Sequence, residues 1–158
     1  MIRPWMVTLG IALVLGGGIG SLVPPGGRRW FNRLKRPRWL TFEKLIPLIW
    51  TFVFVCGAFS AATVWERDPG SSRTWTFMGV YLLLEIVTLA YNPVMMWLRS
   101  LRVGTIIGAI GLVIGLGLAI AVWPISSTAT WLLVPYLLWS PIGTYTTWAM
   151  ARLNPLDT

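Results

Sequence analysis

The sequence predicts an all-α polytopic membrane protein: a bundle of five transmembrane helices built by one domain over residues 1–158. Three observations predict it. Only 11% of the residues are charged and 56% are hydrophobic, where a soluble domain carries about 25% charged residues. Apolar runs of roughly 20 to 25 residues recur along the chain, the length that crosses a hydrocarbon core of about 30 Å at 1.5 Å per helical residue. The runs are continuously apolar instead of alternating with period two, which argues against a membrane β-barrel.

The expected spans are 4–23, 45–65, 74–98, 103–123 and 130–151. The first resembles a signal peptide in having Arg3 before an apolar run, but GGGIGSLVPPGG offers no small-residue cleavage pattern and the run is too long. It is read as a mature helix. Pro24 and Pro25 stop it, followed by Gly26 and Gly27, because proline cannot continue a helix and glycine tolerates the turn. Residues 24–44 then form a long basic loop. The second span follows it and ends at the polar turn ERDPGSSR, 66–73, with its Pro-Gly punctuation. The third ends at the tight basic turn RSLR, 99–102, and the fourth at the uncharged turn PISSTA, 124–129.

Charge sets the expected orientation. The long loop, the RSLR turn and the C-terminal end carry Arg28, Arg29, Arg33, Lys35, Arg36, Arg38, Lys44, Arg99, Arg102 and Arg152, against Arg3, Arg67 and Arg73 on the opposite side. Basic residues stay cytoplasmic during insertion, so the N-terminus is expected outside and the C-terminus inside. The net charge of +8 is accounted for by topology and anionic headgroups and calls for no nucleic acid. With no cleavable address in view, a bacterial inner membrane is the expected location.

The same composition narrows the chemistry. The chain has one cysteine, Cys56, and no histidine. Protein-built zinc and iron sites need clusters of His, Cys and carboxylates, and axial histidine ligation of haem is impossible without one. No nucleophile–base set is present, and Cys56 inside an apolar run reads as a packing residue. No metal and no required cofactor are expected.

Eleven tryptophans demand another explanation. Trp5, Trp65, Trp75, Trp123 and Trp131 fall at span ends, where aromatic belts sit at the headgroups. Trp30, Trp39, Trp50 and Trp139 do not. Trp30 and Trp39 flank Pro37 in the basic loop, Trp50 follows Pro47 by three residues, and Trp139 follows Pro135 by four. Tryptophans gathered near one membrane face suit a cavity for a flat apolar ligand, because aromatic walls stack on planar rings.

Two further groups stand out. Glu85 is the one acid inside a span, where a carboxylate costs about 3 kcal/mol by insertion scales. Thr88 and Asn92 follow on the same helical face, so Glu85, Thr88 and Asn92 are candidates for a polar patch lining the cavity. A plain interhelical hydrogen bond and a proton-coupled role remain alternatives for Glu85. In the fourth span, Gly104, Gly108, Gly111 and Gly115 repeat at spacings of four, three and four. Such stripes allow close van der Waals packing in lipid, either against another helix of the same chain or across a two-fold homodimer seam.

At the loop and span motifs the chain resembles the TspO/MBR family, the tryptophan-rich sensory proteins also called translocator proteins. Leu34, Arg36, Pro37 and Trp39 fit the family's L-x-K-P-x-W with arginine for lysine. Pro47 and Trp50 fit P-x-x-W, and Pro135, Tyr136 and Trp139 fit P-Y-x-x-W. Trp30-Phe31 corresponds to a Trp-Tyr pair, and Arg152, Leu153 and Asn154 fit the polar exit of the last span. The chain departs from the pattern at Thr41-Phe42-Glu43-Lys44, where the family has Pro-Pro-x-Trp. It departs again at Thr88, Tyr91 and Pro93, where the family has N-x-x-W-x-P, and at Thr147-Trp148, where it has an Asn-aromatic pair. Tyr145 lies too far from Arg152 to satisfy the short cholesterol-recognition pattern.

The resemblance implies a five-helix bundle that binds tetrapyrroles such as protoporphyrin IX in a pocket under the first loop, and it raises the expectation of a homodimer. The ligand-binding residues it implies are Trp30, Trp39, Trp50, Tyr91, Trp139 and Thr147. Arg36 and Arg38, with Arg33, are candidates to pair with propionates by bidentate contacts. The favoured role is a sensor or carrier in tetrapyrrole or stress regulation. The alternatives are a photochemical enzyme that degrades porphyrin through Trp50 and Trp139, and a scaffold that modulates partner membrane proteins.

Overall fold

The structure is a computed structural model that describes residues 3–158. Among them there is no strand. Six α-helices follow in order: α1 Pro4–Ser21, α2 Pro25–Arg33, α3 Ile46–Arg67, α4 Ser72–Leu98, α5 Leu101–Val122 and α6 Ser127–Leu153. Short 3₁₀ turns at Glu43–Leu45 and Pro155–Asp157 lead into α3 and follow α6.

Each long helix starts where its sequence can close the first turn. Pro4 and Pro47 occupy the first positions of α1 and α3, where a missing N–H costs nothing and the fixed φ already suits a helix. Ser71, Ser100 and Ser126 cap α4, α5 and α6, accepting from the backbone N–H of Thr74, Val103 and Ala129 at 3.1, 3.3 and 3.3 Å. The turn between α3 and α4 needs Gly70, whose φ is +82°. That between α4 and α5 puts Arg99 at φ +50° as the left-handed cap of α4, the conformation that closes many helix C-termini.

The basic segment 24–44, expected as a loop, contains the nine-residue helix α2. Pro24-Pro25 ends one helix and, with Pro25 in the first turn, begins the next. Trp30 and Gly27 turn inward while Arg29 and Arg33 face out. A Cβ on Gly27 would meet the Met96 carbonyl oxygen at 2.5 Å, so α2 lies backbone-close on the end of α4.

The long helices close into a ring. α1 packs on α3, α3 on α6, α6 on α5, α5 on α4, and α4 returns to α1. A further α3–α4 contact divides the ring into a smaller compartment bounded by α1, α3 and α4 and a larger one bounded by α3, α4, α5 and α6. Two cores hold the ends. One gathers Val53, Val64, Tyr81, Leu84, Leu118, Val122, Leu133 and Tyr136. It is pinned by Ser60, which bonds the Tyr81 hydroxyl at 2.6 Å and donates to the Ala129 carbonyl at 2.7 Å. The other gathers Trp30, Leu34, Met95, Leu101 and Met150 at the basic end. Cys56 is buried and free.

Outward faces are apolar: Val14 of α1 is 74% exposed and Val113 of α5 is 71% exposed. On a soluble protein such surface would be an association site; here it is the face offered to lipid. Four helical segments are long and apolar enough to cross a membrane: α1, α3 with its leading turn, α4 and α5. α6 has the length, 27 residues, but it carries two internal prolines together with many Thr, Trp and Tyr residues that lower its mean hydropathy.

The glycine stripe of α5 is spent inside the chain. A Cβ at Gly104 would strike the Met95 sulfur at 2.5 Å, one at Gly111 the Tyr136 hydroxyl at 2.7 Å, and one at Gly115 the Tyr136 ring at 2.5 Å. At Gly108 it would collide with Thr144. Of the two readings of Gly104, Gly108, Gly111 and Gly115, the contacts favour packing against helices of the same chain over a seam between two copies. The small residues let α4 and α6 approach α5, and Tyr136 fills the notch they leave.

Candidate functional site

The larger compartment encloses a cavity of about 450 Å³, within the usual range for a small-molecule site. α3 contributes Ile46, Pro47 and Trp50 to its wall; α4 contributes Val87, Thr88, Tyr91, Asn92, Met95 and Met96; α5 contributes Ile107, Gly108 and Gly111. α6 supplies Tyr136, Trp139, Ser140, Gly143, Thr144 and Thr147. The roof is Val23, Arg28, Phe31, Leu40 and Glu43 from α2 and its flanks.

Each aromatic wall has a local reason. Trp50 stands one turn into α3, with its ring 6.4 Å from Tyr136 and 5.8 Å from Phe54. Trp139 meets Phe42 edge-on at 6.2 Å, and its indole N–H is buried without a hydrogen-bond partner. Buried donors are rarely left unpaired, so a ligand acceptor at this wall would satisfy one. Tyr91 and Thr147 join their hydroxyls across the α4–α6 interface. Thr147 also donates to the Gly143 carbonyl at 3.3 Å.

The roof is tied down from the C-terminal end. Asn154 accepts from the Lys35 backbone N–H at 2.9 Å and donates to the Lys35 and Met150 carbonyls at 3.0 and 2.8 Å. Asp157 accepts from the Trp30 indole at 2.6 Å and pairs with Arg33 at 3.2 Å. Arg36 donates to the carbonyls of Phe31, Asn32 and Leu34 at 2.8, 3.3 and 2.6 Å and to Glu43 at 3.3 Å. Each such bond contributes about 0.5–1.5 kcal/mol. Asn154→Ala is therefore expected to lower stability by about 2 kcal/mol and to expose residues 35–42 to faster proteolysis, measured by a melting curve and timed digestion.

The predicted residues divide accordingly. Trp50, Tyr91, Trp139, Thr147, Thr88 and Asn92 come together on the cavity wall. Trp30 does not: it is buried in the basic-end core with its N–H engaged by Asp157. Trp39 lies outside the rim, stacked on Tyr145 at 5.8 Å and reaching Trp139 only through Phe42. Arg36 spends its donors on the backbone and Glu43, and Arg38 is exposed away from the cavity. Glu85 faces the smaller compartment, with Thr88 on the wall between the two. Residues 85 and 92 share a helical face but stand about 10 Å apart along the axis, enough to put them in different chambers.

Residues on the wall or packed behind it escaped the sequence reading in whole or in part. Arg28 is the one cation on the wall among the described residues; nothing in a run of six basic residues distinguishes it until α2 forms. Tyr136 was legible as part of PYLLW, though its place in the α5 notch was not. Phe42 sits where the family motif has its second Pro and packs an aromatic against Trp139.

Comparison with known proteins places the whole chain. The tryptophan-rich protein TspO of Bacillus cereus is 27% identical over 136 residues, covering 86% of this chain and 88% of that protein. Protein CrtK of Rhodobacter capsulatus is 21% identical over 145 residues, covering 92% and 89%. The human translocator protein is 26% identical over 160 residues, covering 98% and 94%. The TspO/MBR family model matches residues 8–153, from the first turns of α1 to the last residue of α6, so this multi-pass membrane protein belongs to the TspO/MBR family.

Proposed function

We propose that the cavity of the larger compartment, walled by Trp50, Tyr136 and Trp139, binds a tetrapyrrole such as protoporphyrin IX, and that the protein acts as a sensor or carrier of that ligand. One observation supports this above the others: Trp50, Tyr136 and Trp139 wall a single cavity that also has an unpaired indole donor and one arginine at its roof. Stacked indoles match a flat apolar macrocycle. The Arg28 guanidinium offers a planar fork to a propionate, the role first assigned to Arg33, Arg36 or Arg38. The names of the relatives, sensory protein and translocator protein, agree with a ligand-responsive membrane role.

Titrating the purified protein with protoporphyrin tests the reading: tryptophan fluorescence should quench saturably at one equivalent. Unsaturable quenching would mean partition into detergent. Because both Trp50 and Trp139 are on the wall, the same complex under illumination separates binding from photochemistry. A new pigment spectrum would make the protein an enzyme; unchanged porphyrin absorbance leaves it a binder.

The proposed topology has five crossings, with α6 as the fifth. Trp131, Leu138, Ile142 and Tyr145 of α6 are exposed at spacings of seven, four and three, a helical stripe suited to lipid. The basic α2 segment, the α4–α5 turn and the C-terminal end cluster at one end of the bundle through the Gly27–Met96, Trp30–Asp157 and Lys35–Asn154 contacts. With ten basic residues there against three on the other side, that end is cytoplasmic in a bacterial inner membrane. A phosphatase fused after Thr158 should be inactive and a fluorescent protein there bright; an active phosphatase reverses the orientation.

A further inference from the structure

The smaller compartment holds a second cavity, about 600 Å³, and nothing in the tetrapyrrole reading uses it. It opens where small residues withdraw: Ala12 on α1, Gly57, Ala58 and Ala61 on α3, and Gly79 on α4. Its sides are apolar, with Val7 and Ile11 of α1, Phe54 of α3 and Leu82 of α4 among them. Trp65 and Trp75, edge-to-face at 5.0 Å, close the end away from the basic loop. Tyr136 and Thr88, joined at 3.5 Å, form the partition toward the first cavity, that of the larger compartment.

Glu85 is the acid on this wall. It is the fourteenth of the 27 residues of α4, so its carboxyl lies near mid-span. One carboxyl oxygen, Oε1, is buried and accepts no hydrogen bond among the described residues, and no lysine or arginine pairs with the group. A membrane-buried carboxylate normally has a partner or faces a pathway. Here the protein supplies the acceptor and the apolar walls but withholds the donor.

We propose that this second cavity is a binding site for an elongated lipophilic amine, whose cationic head donates to Glu85 while its apolar tail lies between α1, α3 and α4. An ammonium supplies both what the orphaned oxygen lacks, a hydrogen-bond donor, and what the carboxylate lacks, a counter-charge in a low dielectric. An alcohol would supply only the first. Access is lateral. α1 buries none of its residues, and a Cβ at Gly10, Gly16, Gly17, Gly18 or Gly20 would meet nothing within 4 Å. The helix is held to α3 near its start, where Thr8 donates to the Ala58 carbonyl at 2.8 Å and Trp5 stacks on Phe59, while its glycine-rich remainder is open, and a ligand dissolved in the bilayer reaches the cavity past it. The site does not rest on the tetrapyrrole reading: Trp50 and Trp139 lie outside its wall, and only Tyr136 and Thr88 are shared between the two cavities.

The test uses the full chain in lipid nanodiscs and a long-chain primary amine with a photoreactive diazirine on its tail. Labelled positions are mapped by mass spectrometry. In the wild type, labelling should concentrate on the cavity faces of α1 and α4. It should be suppressed by the unlabelled amine and not by the alcohol of the same chain length. Glu85→Gln, which keeps an acceptor but removes the charge, should reduce saturable labelling at least tenfold. Gly79→Leu and Gly57→Leu should do the same by filling the cavity, for a Cβ at either meets nothing within 4 Å. Melting curves and porphyrin titration check that these variants remain folded. Labelling spread evenly over lipid-facing helices, equal competition by the alcohol, or full labelling in Glu85→Gln would each overturn the proposal. The first two are read on the wild type alone and do not depend on any variant folding.

Discussion

Replacing both Trp50 and Trp139 with leucine is expected to weaken protoporphyrin binding by roughly 5- to 150-fold while leaving the helix content unchanged. Each indole lost from the wall removes a stacking contribution of about 0.5–1.5 kcal/mol, and the sum of about 1–3 kcal/mol converts to that range of affinity. Both side chains are only partly buried and border the cavity, so leucine widens the site without undercutting the fully buried core of Val64, Val122 and Leu133. Fluorescence titration of the single and double variants measures the effect. The double variant should lose more than either single, because the two indoles belong to different helices, α3 and α6, and contact the ligand from different sides. Wild-type affinity in the double variant would move the tetrapyrrole site out of this cavity. Trp30→Phe makes the contrast: its indole serves the Asp157 contact, so it should lower the melting temperature with little change in affinity for the folded protein.

The second large effect is expected from Gly108→Leu combined with Gly111→Leu. Both positions border the cavity, and both face side chains of the same chain, Thr144 and Tyr136. Overpacking a well-fitted contact costs about 1–3 kcal/mol per site, and the pair should push α5 away from α6 along its tightest seam. A drop in melting temperature and a loss of porphyrin binding are expected together, with no change in particle mass in detergent. If the double variant instead stayed as stable as wild type and lost mass, the stripe would join two chains. The expected result follows from Tyr136 and Thr144 of α6, which stand where the Gly111 and Gly108 side chains would go.

The membrane class, the long helices and the motif positions were legible in the residues themselves. Those properties are local: apolar run length decides whether a segment crosses lipid, serine and proline decide where helices start, and basic residues decide which end stays inside. The place of Trp50 and Trp139 on one wall was legible because each follows a proline in a motif shared with the family. Other features depended on contacts between segments far apart in the chain. α2 was hidden because Pro24-Pro25 and Gly26-Gly27 read as a stop, and only the backbone approach of Gly27 to Met96 makes the segment a docked helix. The arginines of the loop look alike in sequence. Asp157, more than 120 residues away, occupies Arg33, Glu43 and three carbonyls occupy Arg36, and Arg28 is left at the cavity.

Periodicity also has a fixed limit. It puts Glu85, Thr88 and Asn92 on one face but cannot say that Tyr136 crosses that face and separates Glu85 from Asn92. It finds the glycine stripe but not what fills it, because a small residue records only that something comes close. The sequence by itself determined a tryptophan-rich, multi-pass helical membrane protein with most of its basic residues in one loop, one turn and the C-terminal end. Only the tertiary structure decided that its ring of helices is divided into two chambers, one walled by indoles and the other holding an unpartnered carboxyl, because that division rests on the α3–α4 contact and on one tyrosine seated in a notch of glycines.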